Sequence, residues 1–175
     1  MISKYSKVAI ALHWILAALI ISNFVLANVA EDLARELRGA YMNPHKAIGI
    51  SILLFSVFRL YWRMGHRPPP LPDAISEWQA KLGKFVHAIF YFLIIAVPLS
   101  GWIMASAHPQ APPISFFGLF DFSLPIGRDK GVAGFAYETH EILTKPLAIL
   151  IILHVLAALK HQFADRLPFI QRMFP

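Results

Sequence analysis

Between Lys7 and Glu31 lie 23 consecutive residues without an Asp, Glu, Lys or Arg. A helix needs about 20 apolar residues to cross a bilayer, so the first structural decision of this chain is made by a solvent that is not water. A leader peptide is the rival reading, because Lys4 and Lys7 form a basic start and Ala27 to Ala30 resemble a cleavage site. The run is longer than the roughly 7–15 apolar residues of a leader, and a span is expected. Composition agrees. The chain has 175 residues, is 57% hydrophobic and has a mean hydropathy of +0.57, whereas soluble domains are about 45–50% apolar.

Three further spans are predicted. The second runs from about His45 to Met64, with Pro44 suited to a first helical turn and Arg59 and Arg63 placed to reach the headgroups. His66 to Pro72 then reads as a stiff proline-rich connector. The third span covers about 81–107, with a kink expected near Pro98. Residues 108–137 form a loop rich in Pro, Gly and Phe, whose segment 114–120 is expected at the membrane interface. The fourth span covers about 138–163, bent near Pro146, and a short amphipathic tail follows. The expected architecture is a single all-α domain over 1–175, an integral membrane four-helix bundle with spans at about 8–30, 45–64, 81–107 and 138–163.

The net charge of +6 and pI of about 9.8 do not point to nucleic acid, because the basic residues sit at the ends of apolar runs. Ten Lys and Arg fall on the side of the two termini and the 59–84 connector, against six on the other side. The positive-inside rule then places both termini in the cytoplasm. There are no cysteines, which excludes thiolate-held iron–sulfur clusters, disulfides and covalent haem attachment.

Eight histidines stand in this greasy chain. An ionisable residue within a span is costly and marks function by default. His13, His45, His87, His140, His154 and His161 fall on predicted helices. His66 and His108 fall in connectors and read as ordinary solvated residues. His140 and His154 lie fourteen residues apart on one helix, roughly 21 Å along the axis and only about 40° around it. One helix thus offers an imidazole to the bundle interior near each membrane surface. That suits two stacked haems and not one compact metal site, whose ligands stand about 2 Å from the ion. Two polar core residues bonding neighbouring helices are the plainer alternative.

Depth pairs the ligands. His13 follows Lys7 by six residues and His154 precedes Lys160 by six, so they are expected to share the inner haem. His45 and His140 begin their helices on the outer side and are expected to share the outer one. His87 and His161 sit at the cytoplasmic edge beside Lys81, Lys84 and Trp78. A quinone headgroup needs hydrogen-bond donors and protons, which a histidine titrating near neutrality supplies. His87, His161, Lys81 and Trp78 are therefore candidate quinone-site residues, with a solvated rim as the bland alternative and His87 also an alternative inner ligand. Gly49, one turn after His45, can admit a porphyrin or serve close helix packing.

Several residue groups together resemble the bacterial cytochrome b561 family, which includes the di-haem superoxide oxidases. They are Tyr5-Ser6 with His13-Trp14, His45-Lys46-Ala47-Ile48-Gly49-Ile50, Arg59-Leu60-Tyr61-Trp62-Arg63 before the Pro run, Gly83 with His87, His140-Glu141, His154 and Lys160-His161. The likeness covers nearly the whole chain. It implies haem b ligation from the first, second and fourth helices and a ubiquinone site at the cytoplasmic end near His87 and His161. Gln162 stands where a second consecutive histidine is expected.

The resulting expectation is an oxidoreductase of the bacterial inner membrane, with two haem b groups. It would oxidise periplasmic superoxide and reduce ubiquinone, with Lys46, Arg128 and Lys130 as candidates to attract the anion. The alternative is an electron-transfer subunit for a periplasmic dehydrogenase or hydrogenase, docked on the Phe-rich loop. A haem-free, histidine-lined metal or proton transporter is a third reading. The expected partners are lipid, ubiquinone and either superoxide or a redox protein, with no nucleic acid.

Overall fold

The protein is described here by a computed structural model covering residues 3–72 and 74–174. Four long helices dominate: α1 (Lys7–Glu31), α2 (Arg35–Gly65), α3 (Glu77–Ala107) and α4 (Lys130–Leu159). Each is long and apolar enough to cross a membrane. A π-helical turn, Lys160–Ala164, extends α4, and a single 3-10 turn, Gln171–Met173, lies in the C-terminal tail.

Local chemistry sets most of the boundaries. Ser6 caps α1 by accepting the Ala9 N–H at 3.3 Å. Ser76 and Gln79 form a capping box at the start of α3, and Asp129 caps α4 by accepting the Val132 N–H at 2.8 Å. Such caps satisfy backbone donors that the first turn leaves open. Helix α2 ends at the proline-rich connector, as expected.

Two starts differ from the sequence reading. Helix α2 begins at Arg35, ten residues before His45, with Pro44 inside it. Helix α4 begins at Lys130, eight residues before Glu138. In both cases the apolar run marked only the span. The helix continues beyond it on exposed turns, because its backbone bonds are made within the helix whatever the surrounding solvent. Pro98 and Pro146 likewise lie inside unbroken helices.

The loop after α3 carries a hairpin that the sequence reading did not foresee. Strands β1 (Ser115–Phe116) and β2 (Phe120–Asp121) pair antiparallel. Phe117 and Gly118 at the tip adopt left-handed backbone, with φ of 52° and 77°, a conformation that glycine accepts without a Cβ clash. Phe122 stacks on Trp102 at 4.8 Å and ties the hairpin to α3. Phe117, Leu119 and Phe120 remain exposed.

Packing runs α1 on α2, α2 on α3 and α3 on α4, and among the described residues α1 and α4 share no comparable seam. The central cluster is Leu93, Ile94 and Val97 of α3 with Leu147 of α4, joined by Ile20 and Phe24 reaching over from α1. This apolar waist lies between the two levels of histidine described next. The outward faces of all four helices are rich in exposed Leu, Ile, Val and Phe, as lipid-facing surfaces require.

Candidate functional site

The outer level joins α2 and α4. His45 and His140 face each other with ring centres 6.3 Å apart. His45 Nδ1 donates to the Asn23 carbonyl at 3.1 Å, and His140 Nδ1 donates to the Val97 carbonyl at 2.9 Å. A carbonyl can only accept, so each Nδ1 carries the proton and each Nε2 keeps its lone pair. Ser100 Oγ lies 3.3 Å from the same His140 nitrogen.

The inner level joins α1, α3 and α4. His13 and His154 have ring centres 6.2 Å apart, and His87 and His154 stand at 6.1 Å. His154 therefore faces two imidazoles. His87 Nδ1 donates to the Gly83 carbonyl at 2.6 Å, which leaves its Nε2 free as well. Phe90 closes one side of His154 at 5.4 Å.

These separations would admit an iron between the two imidazoles of a pair. Two metal–nitrogen bonds of roughly 2 Å, with about 1 Å more from each nitrogen to its ring centre, place the centres about 6 Å apart. The surroundings fit a porphyrin as well. A cavity of about 590 Å³ contains His45 and His140 in its wall, together with Gly49, Gly101, Lys46 and Trp102. Organic ligands occupy cavities of about 300–1,000 Å³. A Cβ on Gly101 would lie 3.1 Å from the His140 ring, so glycine lets that imidazole lie closer against α3 by a few tenths of an ångström than a side chain would. Trp102 Nε1 is buried without a hydrogen-bond partner among the described residues, a donor that a carboxylate-bearing ligand would satisfy. No group of three or more His, Cys, Asp or Glu forms a closed metal cage among the described residues. Paired imidazoles are the donors that a b-type haem would take from a protein.

The other candidates divide. His161 lies at the end of α4, with Nδ1 2.7 Å from Asp165 Oδ2. Lys160 Nζ approaches the same oxygen at 2.7 Å. The hydrogen bonds from Lys160 and then His161 hold the Asp165 carboxyl below its ordinary range, so it is ionised throughout neutral pH. Lys81 turns to Glu77 of its own helix at 3.7 Å, and Trp78 is 65% exposed. Neither bonds to His87 or His161 among the described residues. His66 is exposed and stacked on Trp62 at 3.8 Å, and His108 accepts the Gln110 N–H at 3.2 Å, so both act in local structure.

Four cations make contacts that the sequence pattern does not mark. Arg128 donates to the carbonyls of His108 at 2.6 Å and Ala111 at 2.8 Å, so it pins its loop while keeping its charge. Arg63 lies over the Tyr91 ring at 5.7 Å. Arg59 is within electrostatic reach of His13, His87 and His154, which places it at the inner level and not merely at the headgroups. Arg172, read as part of an amphipathic tail, is only 4% exposed. Its burial was not signalled by hydropathy. The i, i+4 spacing of His161 and Asp165 was readable in the sequence and went unused.

Comparison with known proteins agrees with this geometry. The family model of prokaryotic cytochrome b561 matches residues 4–175. Cytochrome b561 homolog 2 of Escherichia coli K12 is 31% identical over 97% of this chain and 90% of its own length. The probable superoxide oxidase CybB of Yersinia pestis is 26% identical over 98% of this chain and 96% of its own length. Cytochrome b561 homolog 1 of Escherichia coli K12 is 25% identical over 99% and 98%. With four membrane-capable helices and histidines facing across them at two levels, the chain belongs to the prokaryotic cytochrome b561 family: a multi-pass protein of the bacterial inner membrane that binds b-type haem and transfers electrons.

Proposed function

We propose that the whole chain is one di-haem unit that oxidises superoxide on the periplasmic side and reduces ubiquinone on the cytoplasmic side, with both termini cytoplasmic. The observation that carries this reading is the pair of histidine levels, 6.3 Å and 6.2 Å between ring centres, on opposite sides of an apolar waist.

His45 and His140 would hold the outer haem, and His13 and His154 the inner one. Bound there, each group would supply reversible one-electron chemistry at iron. The chain's own residues do the rest. Backbone carbonyls fix the tautomers of His45 and His140. Lys46, half-buried in the wall of the outer cavity, and Arg59 at the inner level would neutralise carboxylates of the porphyrins. The waist excludes water. Lys46 and exposed Lys130 would raise the encounter rate of a small anion.

The balance is two superoxide anions giving two electrons and leaving as two molecules of oxygen, while one quinone takes those electrons and two cytoplasmic protons to become the quinol. His87 and His161 would serve the quinone headgroup, with Lys81 and Trp78 at the mouth of that site. The CybB relative's name supports the superoxide assignment. Haem-loaded protein mixed with a superoxide pulse should be reduced within milliseconds in a stopped-flow spectrometer. Reduction no faster than by a neutral one-electron donor of similar potential sinks the assignment.

The exposed Phe117, Leu119 and Phe120 of the hairpin favour one alternative, an electron-transfer subunit for a periplasmic dehydrogenase or hydrogenase. A stable copurifying redox protein, combined with no superoxide oxidation, would select it.

A further inference from the structure

Beyond α4 the chain turns back on itself. Arg166 takes left-handed backbone, with φ of 56°, a conformation that side-chain-bearing residues seldom adopt and that must be held by what surrounds it. The Leu167 N–H returns to the His161 carbonyl at 2.8 Å, and the Ile170 N–H reaches Gln162 Oε1 at 3.2 Å. The reversal brings the Phe169 ring onto the His161 imidazole, 4.8 Å between centres and 24° between planes.

On Phe169 rests the Arg172 guanidinium, 6.0 Å from the ring centre. Arg172 is 4% exposed and has no carboxylate partner among the described residues. It donates instead to three carbonyls: Ser3 at 3.1 Å, Pro69 at 3.0 Å and Pro70 at 2.6 Å. A buried guanidinium persists only where its donors are met, and prolines present carbonyls on a stiff backbone. One side chain therefore locks the tail to both the N-terminus and the connector between α2 and α3.

His161 is thus gripped in two directions. Asp165 Oδ2 accepts the Nδ1–H hydrogen bond at 2.7 Å. A carboxylate only accepts, so Nε2 is the nitrogen left to address a ligand. Phe169 fixes the plane of the ring, and a π-helical turn, a deformation frequent at functional sites, carries the histidine.

We propose that Asp165 and Phe169, locked in place by Arg172, are positioning residues that present His161 Nε2 to a carbonyl oxygen of the quinone headgroup. This rests on the reading of His161 as a quinone-site residue. The step is binding and proton donation: Nε2–H of the imidazolium gives its proton to the reduced quinone oxygen, and the neutral imidazole keeps its Nδ1–H, hydrogen-bonded to Asp165.

The test compares Asp165→Ala, Phe169→Leu, Phe169→Tyr and His161→Ala in the full-length, haem-loaded protein, using a short-chain ubiquinone. Haem content and reduction from the periplasmic side serve as readouts beside turnover. The expected result is a quinone KM raised about tenfold in Asp165→Ala and Phe169→Leu, with kcat moved less, haem content unchanged, and KM restored in Phe169→Tyr. If His161→Ala raises KM while Asp165→Ala and Phe169→Leu do not, the positioning proposal falls and the quinone site stands. If His161→Ala leaves KM unchanged, the quinone reading falls and takes the proposal with it. Loss of haem in parallel with the rise in KM would also overturn it, because Asp165 and Phe169 would then be supporting only the bundle.

Discussion

Gly101 shows how narrowly the outer ligand is placed. Its missing side chain is filled by the His140 ring, 3.1 Å from where a Cβ would stand. Gly101→Ala should displace the imidazole by a few tenths of an ångström and shift the outer haem's potential. Gly101→Leu should cost the outer haem alone, measured as a fall from two haems per chain to one by pyridine haemochrome. The same count on single variants tests the pairing. His140→Ala and His154→Ala should each remove one haem, and His13→Ala should do so while His87→Ala keeps both. The reverse outcome for His13 and His87 would make His87 the inner ligand. At this scale the histidines were legible because an ionisable group in an apolar run is rare enough to stand out. Gly101 was not, because its meaning depends on a ring 39 residues away in sequence. Arg172 was hidden for the same reason: its partners are carbonyls, which every residue has and no sequence pattern marks.

At the scale of elements, the spans were readable and the helix ends were not. Apolar length reports where the bilayer is, whereas a helix stops where its caps lie. Asp129, nine positions before the expected start of α4, is such a cap. Asp129→Ala should destabilise the protein by about 1 kcal/mol, read as a lowered midpoint in thermal unfolding in detergent, with both haems still bound. The hairpin was missed because two-residue strands give no period to detect. Its fixation depends on Arg128, whose Nη1 meets two loop carbonyls. Arg128→Ala should leave haem content intact and speed proteolysis within residues 108–129. Cleavage no faster than in the parent protein would show that the stack of Phe122 on Trp102 suffices.

For the whole molecule, the proposed orientation makes a direct claim on topology. Reporter fusions at residues 2 and 174 should be active only as cytoplasmic reporters, and a fusion in the 108–129 loop only as a periplasmic one. The waist of Leu93, Ile94, Val97 and Leu147 has an electrical consequence for that arrangement. None of these side chains carries a proton, so an electron crossing between the two levels travels without a compensating charge. Inward flow then moves negative charge against an inside-negative voltage, at a cost of about 2.3 kcal/mol per electron for each 100 mV. A protein working in the proposed way would be a current source as well as a redox catalyst. Each turnover would charge the membrane, and an already energised membrane would throttle the traffic.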